Sequence, residues 1–479
     1  MDRDTTPAAE RTGDGEEPRR HTPAPPATGG AHGRHPGRHG SPFRKHGSAG
    51  GPPGMTIDFD QAPFLVIWET TQACDLACKH CRAEAQPNRH PDELSTEEAR
   101  QLLRDVRRFG PIIFVFSGGD ALKRPDIIEL VRYGAELGLR MGITPATTPL
   151  CSREQLEELR DAGCTRVAIS LDGSHPGIHD EFRQVDGSFQ HGLRILRTAQ
   201  ELGMTTQVNT VVARHNVDDI DALCALMEEL GIVFWEVFFL VPMGRARPED
   251  VASAEEFEAV FHKLYDLAKT ASFDIKATAA PQYSRLVLQR KVIEKRAGER
   301  AEASDVLTDG VAYSQKDGMG RARGVNDGDG FLFVSHTGDI FPSGFLPLKA
   351  GNIRADDLLD VYRNAPLFKQ LRDRSQFKGK CGVCEYLPVC GGSRARAYAV
   401  TGDWLEAEPF CAHVPVKYQR MVERGEAEPV EEYFARRSVR IGRSLPVHGT
   451  PARGSTCAPG EASAPGGEGE PAPVAAAVP

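Results

Sequence analysis

From residue 63 onward, short apolar runs alternate with amphipathic segments. The runs PFLVIWET (63–70), PIIFVFS (111–117), LRMGIT (139–144), TRVAISL (165–171), MTTQVNTVV (204–212) and IVFWEVFFLV (232–241) are nearly continuous, as in strands buried on both faces of a parallel sheet. The segments between them carry helical periodicity. Ser95-Thr-Glu-Glu98 reads as a capping box, followed by an apolar stripe of Ala99, Leu102, Leu103 and Val106 that Gly110-Pro111 ends. Pro125 opens a second helical stretch that runs to Gly138, and 152–162, 189–202 and 217–230 repeat the pattern. Six strand–helix units in alternation predict an α/β fold: a partial (β/α)6 TIM-like barrel, open at one side, with its functional loops at the C-terminal ends of the strands.

After about residue 280 the alternation stops. Residues 281–324 are charged and contain several Gly, and read as a linker or insertion. A hairpin follows, FLFVSHTGDIFPSGF (331–345), turning at Thr337-Gly338-Asp339. A cysteine-rich stretch at 381–411 completes a small second domain over 325–430, set after a barrel domain over 55–280. Residues 1–54 hold twenty Gly or Pro and only Met1 and Phe43 as large apolar residues, and 446–479 have the same character. Neither end carries enough apolar surface to offset the cost of ordering its backbone, so both read as disordered tails.

Composition narrows the class. Of 479 residues, 40% are hydrophobic and 26% charged, with a net charge of −9, the profile of a globular protein rather than a nucleic-acid binder. No apolar run reaches the roughly 20 residues needed to cross a bilayer. Arg19-Arg20 has no apolar stretch after it, so it is not read as an export signal, and a cytoplasmic location is expected. In a reducing compartment the eleven cysteines are metal ligands, reactive thiols or buried apolar residues before they are disulfides.

Three of them stand at the end of the first apolar run: Cys74-Asp-Leu-Ala-Cys78-Lys-His80-Cys81. Three thiols on one loop can converge on one metal centre. A cubic four-iron cluster held by three thiolates keeps one iron open to a small molecule, whereas structural zinc takes four protein ligands. Zinc with His80 as fourth ligand, or simply buried thiols, remain alternatives at this point. The C-x3-C-x2-C spacing, with the aromatic His80 before the last Cys, resembles the signature of the radical S-adenosylmethionine (SAM) superfamily, and the resemblance extends over most of 62–245. Gly118-Gly119-Asp120, after the second strand, is similar to the glycine-rich motif that receives the methionine amino group of SAM. Ser170, in Ile-Ser-Leu-Asp-Gly, and Arg183 match positions that hold its carboxylate. Asn209 and the stretch around Val241 resemble ribose and adenine contacts, and His80 joins the same cofactor-binding set. The resemblance implies a [4Fe–4S] cluster on Cys74, Cys78 and Cys81. It also implies reductive cleavage of SAM to a 5′-deoxyadenosyl radical that takes a hydrogen atom from the substrate, with an electron donor such as flavodoxin or ferredoxin.

A second set, Cys381-x2-Cys384-x5-Cys390-x20-Cys411, read alone fits zinc or an iron–sulfur cluster. Beside the first motif it resembles the auxiliary-cluster domains called SPASM or twitch, and implies one auxiliary [4Fe–4S] cluster with all its irons ligated. Where the hairpin of a full SPASM domain carries a Cys, this chain has Ser343. Cys390-Gly-Gly-Ser-Arg-Ala-Arg-Ala-Tyr-Ala and Glu408-Pro-Phe-Cys411 are similar to the haem-pathway branch, which includes Fe-coproporphyrin decarboxylases and the enzyme that trims propionates on the way to haem d1. Ser393 replaces a Cys often found there. Arg394 and Arg396 are candidates to pair with substrate carboxylates, or else solvated residues of a surface helix. Cys151, Cys164 and Cys224 lack partners at ligand spacing and read as inert thiols. The leading expectation is an enzyme that decarboxylates tetrapyrrole propionates. The alternatives are a radical SAM maturase of a ribosomal peptide and, from another class, a non-catalytic zinc scaffold.

Overall fold

The structure, a computed structural model, describes residues 57–298, 311–313, 317–322 and 324–437. The expected tails at 1–54 and 446–479 lie outside the described residues. Strands β1 (Leu65–Glu69), β2 (Ile113–Ser117), β3 (Arg140–Ile143), β4 (Cys164–Ser170), β5 (Thr205–Val212) and β6 (Phe234–Phe239) fall on the six apolar runs. They pair in sequence order, every neighbour parallel. The α/β barrel-like architecture is therefore as the alternation predicts.

A seventh parallel strand, β7 (Asp274–Thr278), extends the sheet beyond β6. Its sequence, DIKAT, has one large apolar residue and lacks the continuous run that marks the others. Strands β8 (Val311–Tyr313) and β9 (Gly320–Ala322) form a separate antiparallel pair. The hairpin strands β10 (Phe331–Val334) and β11 (Asp339–Phe341), with β12 (Gly351–Asn352), join the main sheet at its other edge. β10 pairs parallel with β1, Leu65 opposite Phe331 through Trp68 opposite Val334. The sheet thus runs without a break from the hairpin through β7, in the order β12-β11-β10-β1-β2-β3-β4-β5-β6-β7.

Helices α1 (Thr96–Arg107), α2 (Ile127–Glu136), α3 (Arg153–Asp161), α4 (Pro176–Arg183), α5 (Ser188–Glu201), α6 (Ile220–Glu229), α7 (Ala254–Leu267) and α8 (Gln282–Ala297) accompany the strands. The capping box at α1 forms as its sequence predicts. The Ser95 backbone N–H donates to the Glu98 carboxylate (2.8 Å), and the Glu98 N–H donates to the Ser95 hydroxyl (3.3 Å). Ala99, Leu102, Leu103 and Val106 are fully buried. Among the described residues no helix is long and apolar enough to cross a membrane.

Candidate active site

The loop after β1 carries Cys74, Cys78 and Cys81, and neighbouring backbone holds it at several points. Gly119 N–H donates to the Thr71 carbonyl (2.8 Å), Asp120 N–H to Ala73 (2.7 Å), Lys79 N–H to Phe182 at the end of α4 (3.0 Å), and Arg245 N–H to Cys81 (3.1 Å). Gly118 sits at φ +140°, and a Cβ on Gly119 would lie 2.4 Å from the Ala73 carbonyl oxygen. The glycine pair is therefore required for the cysteine loop to lie against the end of β2.

The three thiols share one environment. Burial pushes the Cys74 thiol up to about 12, and the charges of Asp120, Cys78 and Cys81 add to that. Each sulfur accepts a nearby donor: Leu76 N–H to Cys74 Sγ (3.4 Å), Ala85 N–H to Cys81 Sγ (3.4 Å) and Arg183 Nη1 to Cys78 Sγ (3.6 Å). Donors aimed at sulfur suit thiolates that ligate iron. Arg183 also meets the buried Asp172 carboxylate at 2.6 Å. Burial works against the Arg183 charge, but Asp172 outweighs it and holds its pKa up.

His80 does not complete a ligand set. Its ring stacks on Phe182 (4.2 Å, 2°), its Nε2 lies 3.8 Å from Asp172, and its Nδ1 is buried with no hydrogen-bond partner among the described residues. Burial lowers its pKa to about 3, so the imidazole is neutral.

These residues border a cavity of about 440 Å³ inside the sheet. Cys74, Cys78, Cys81, His80, Gly118, Gly119, Ser170, Arg183 and Asn209 all line it. Ser170, the last residue of β4, is the register partner of Asn209 in the middle of β5. Two further residues expected to contact SAM, Asp120 and Val241, do not line this cavity. The Asp120 carboxylate is buried, accepting from Leu122 N–H (3.1 Å), Ala146 N–H (3.3 Å) and the Thr148 hydroxyl (2.9 Å). Leu122 lies in the turn after β2, and Ala146 and Thr148 in the loop after β3, so the carboxylate ties these two loops together and does not line the cavity. Val241 is packed with Leu346, Leu371, Ala395 and Ala399, because the C-terminal segment covers the end of β6.

The four distal cysteines converge on one small pocket. Burial raises the thiols of Cys381, Cys384 (to about 11) and Cys390, and the Cys411 charge raises all three further. Donors again meet sulfur: Glu408 N–H to Cys381 (3.3 Å), Tyr386 N–H to Cys384 (3.4 Å) and Gly392 N–H to Cys390 (3.4 Å). Cations suited to an anionic cluster lie close, with Arg394 acting on Cys381 and Arg285 on Cys390. Cys384, Glu385 and His413 also bring ligand atoms within 4.8 Å of one another. Cys390 lines the large cavity as well, so a single space reaches from the first sulfur set to the second.

The fold agrees with known relatives. A family profile described as the radical SAM superfamily matches residues 68–227. The chain is 40% identical over 361 residues to the AdoMet-dependent heme synthase of Methanosarcina barkeri (strain Fusaro / DSM 804), a match covering 75% of this chain and 99% of that relative. The chain belongs to the radical SAM superfamily. Like its relatives in that superfamily it is an enzyme, with a [4Fe–4S] cluster and SAM as cofactors. A mycofactocin maturase of Mycobacterium ulcerans (strain Agy99) is more distant, 29% identical with 73% of this chain and 88% of the relative covered. Among solved structures, Streptococcus suis SuiB bound to S-adenosylmethionine shares the fold, with a TM-score of 0.55 at 18% identity over 74% of this chain and 78% of that one.

As a radical SAM enzyme the chain has the donor set its cofactors need: three thiols with donors on each sulfur, and unpaired buried polar atoms, His80 Nδ1 and Arg183 Nε, beside them. The sequence marks the cysteines and glycines but gives no role to Asp172 of the Ile-Ser-Leu-Asp-Gly motif, which holds Arg183, and does not mark the polar lumen residues Glu236 and Lys276. Arg394 and Arg396 answer to neither of their expected roles. Both are fully buried. Arg396 pairs with Glu408 (2.9 Å) and donates to the carbonyls of Phe239, Leu240 and Ala279. Arg394 donates to those of Trp404 and Glu406 and lies over the Phe377 ring. Arg396 ties the distal cysteine segment to the ends of β6 and β7, and Arg394 braces that segment from within. Ser343 donates to Asp327, and Ser393 caps the helix Arg394–Thr401, so both serines in place of cysteine serve the packing. Burial lifts Cys151 and Cys164 to about 12 and Cys224 to about 11, in keeping with inert thiols.

Proposed function

We propose that this enzyme oxidatively decarboxylates propionate side chains of an iron tetrapyrrole. The observation that carries the reading is the single cavity bordered by Cys74, Cys78 and Cys81 at one part and by Cys390 at another. Removing a hydrogen atom, carbon dioxide and one electron from a propionate leaves a vinyl group, so a site for the hydrogen and a site for the electron must share one substrate chamber. The similarity to AdoMet-dependent heme synthase over nearly all of that relative supports the same substrate class.

In this reading Cys74, Cys78 and Cys81 hold the SAM-binding [4Fe–4S] cluster. Gly118 and Gly119 offer backbone to the methionine amino group, Ser170 and Arg183 meet its carboxylate, and Asn209 and His80 border the nucleoside. Cys381, Cys384, Cys390 and Cys411 would hold an auxiliary [4Fe–4S] cluster, which would supply an acceptor for the departing electron. When bound, the first cluster and SAM supply the hydrogen-abstracting radical, and the protein's part is to position the propionate and exclude water. Asp172 fixes the Arg183 guanidinium, and the buried Gly118-Gly119 turn seats the cysteine loop. A low-potential donor such as flavodoxin or ferredoxin, in a reducing cytoplasm, completes the scheme.

Anaerobic incubation with SAM, dithionite and Fe-coproporphyrin tests it. The expected result is 5′-deoxyadenosine together with carbon dioxide and a porphyrin that has lost carboxyl groups. Deoxyadenosine with an unaltered porphyrin would overturn the substrate and favour a peptide.

A further inference from the structure

The cavity has two unlike walls. On β1, β2 and β10 the inward residues are apolar, Ile67, Val115 and Phe333 among them, whereas β5 to β7 present Gln207, Glu236, Lys276 and Thr278. The Glu236 carboxylate is at the centre of the polar wall. It accepts from Lys276 Nζ (2.9 Å), the Thr278 hydroxyl (2.6 Å) and Gln207 Nε2 (3.1 Å). Burial pushes its pKa up, but Lys276 and these donors outweigh burial and hold it ionised.

Of the cations bordering the cavity, three are committed. Arg166 forms a two-pronged pair with Asp317 (2.8 and 2.9 Å) and lies over the Phe234 ring. Arg183 is held by Asp172. Arg82 is clamped between Glu69 (2.8 Å) and the Phe333 ring (4.5 Å). Lys276 differs. An ammonium has three donors, and among the described residues its only acceptor is Glu236. Glu236 has two further donors, so it keeps two hydrogen bonds if Lys276 turns. β7 also leads directly, through Ala279 and Ala280, into α8, whose Gln282 and Arg285 border the distal cysteine pocket.

We propose that Lys276 is the carboxylate anchor of the substrate chamber, holding one propionate of a flat macrocycle whose apolar face lies on the β1–β2–β10 wall. This rests on the tetrapyrrole reading above. Lys276 is a specificity-determining residue that selects an acidic substrate. A charge-assisted bond to a half-buried ammonium contributes enough to change affinity about 10- to 100-fold.

The test is absorbance titration of Fe-coproporphyrin, and of its propionate esters, into anaerobically reconstituted holoenzyme. Lys276→Met is expected to weaken binding of the acid about 10- to 100-fold, with Lys276→Arg within a few-fold of the parent. Esterification should weaken binding to the parent and leave binding to Lys276→Met unchanged. Glu236→Gln, which frees Lys276 from a competing anion, should bind the acid at least as tightly as the parent. A purely structural pair would make both Lys276→Met and Glu236→Gln weaker for acid and ester alike, and that result overturns the anchor. Equal affinity of the parent and Lys276→Met for the acid overturns it too. A parent that binds neither compound refutes the tetrapyrrole reading itself, a distinguishable outcome.

Discussion

Arg394 and Arg396 show how context decides what a residue does. In the sequence they are two cations near a cysteine cluster; in the fold both are buried struts, Arg396 bonded to β6, the turn after β7 and Glu408, and Arg394 to carbonyls of its own segment. Removing one member of a buried pair strands the other charge, at a cost of about 3–5 kcal/mol. Arg396→Met is therefore expected to lower the unfolding free energy by roughly that amount, with Arg396→Met/Glu408→Gln recovering part of it, as denaturant titration would reveal. Asp172 gives a pH signature. Burial pushes its carboxyl up, but the Arg183 guanidinium leads the influences that outweigh it and hold it at about 2, below its ordinary 3.8. Its stabilisation is complete above about pH 4 and is lost as pH falls through 2. Asp172→Asn should flatten that acid limb of stability, measured as midpoint against pH. Cys78 accepts from Arg183, and the Asp172 charge acts on it as well. Cys78→Ala is expected to abolish SAM cleavage, scored as deoxyadenosine; retained cleavage would refute the three-thiol assignment.

At the scale of elements, the loops carry the chemistry and their geometry depends on close backbone contacts. The Gly119 Cβ position lies within 2.4–2.8 Å of Gln72 and Ala73 backbone atoms. Gly119→Ala should push the cysteine loop off the end of β2, lowering iron bound at the first site while the distal site keeps its iron, as metal analysis with Mössbauer spectroscopy can distinguish. The distal segment offers a second choice of ligands, since His413 and Glu385 approach Cys384. With four cysteines as ligands, Cys384→Ala should lose auxiliary iron and stop product formation while sparing deoxyadenosine. His413→Ala should keep its iron. Iron lost in the histidine variant would make His413 a ligand. Strand β7 was not legible because DIKAT has no continuous apolar run: Lys276 and Thr278 point into a polar lumen instead of a core.

At the scale of the molecule, the parallel pairing of β10 with β1 brings the distal segment against the barrel, and one cavity then borders both sulfur sets. The cysteine spacings, the glycine pair and the six buried runs were legible in the chain because each is local. A loop of three thiols, a turn needing no Cβ, and a strand buried on both faces each announce themselves within a few residues. The tertiary structure alone decided which groups face the lumen. Asp120 and Val241 sit within matching motifs yet turn into packing, while Glu236 and Lys276 belong to no motif yet meet from separate strands 40 residues apart. Side-chain direction and charge pairing depend on which distant strands become neighbours, and a run of residues read in order does not contain that information.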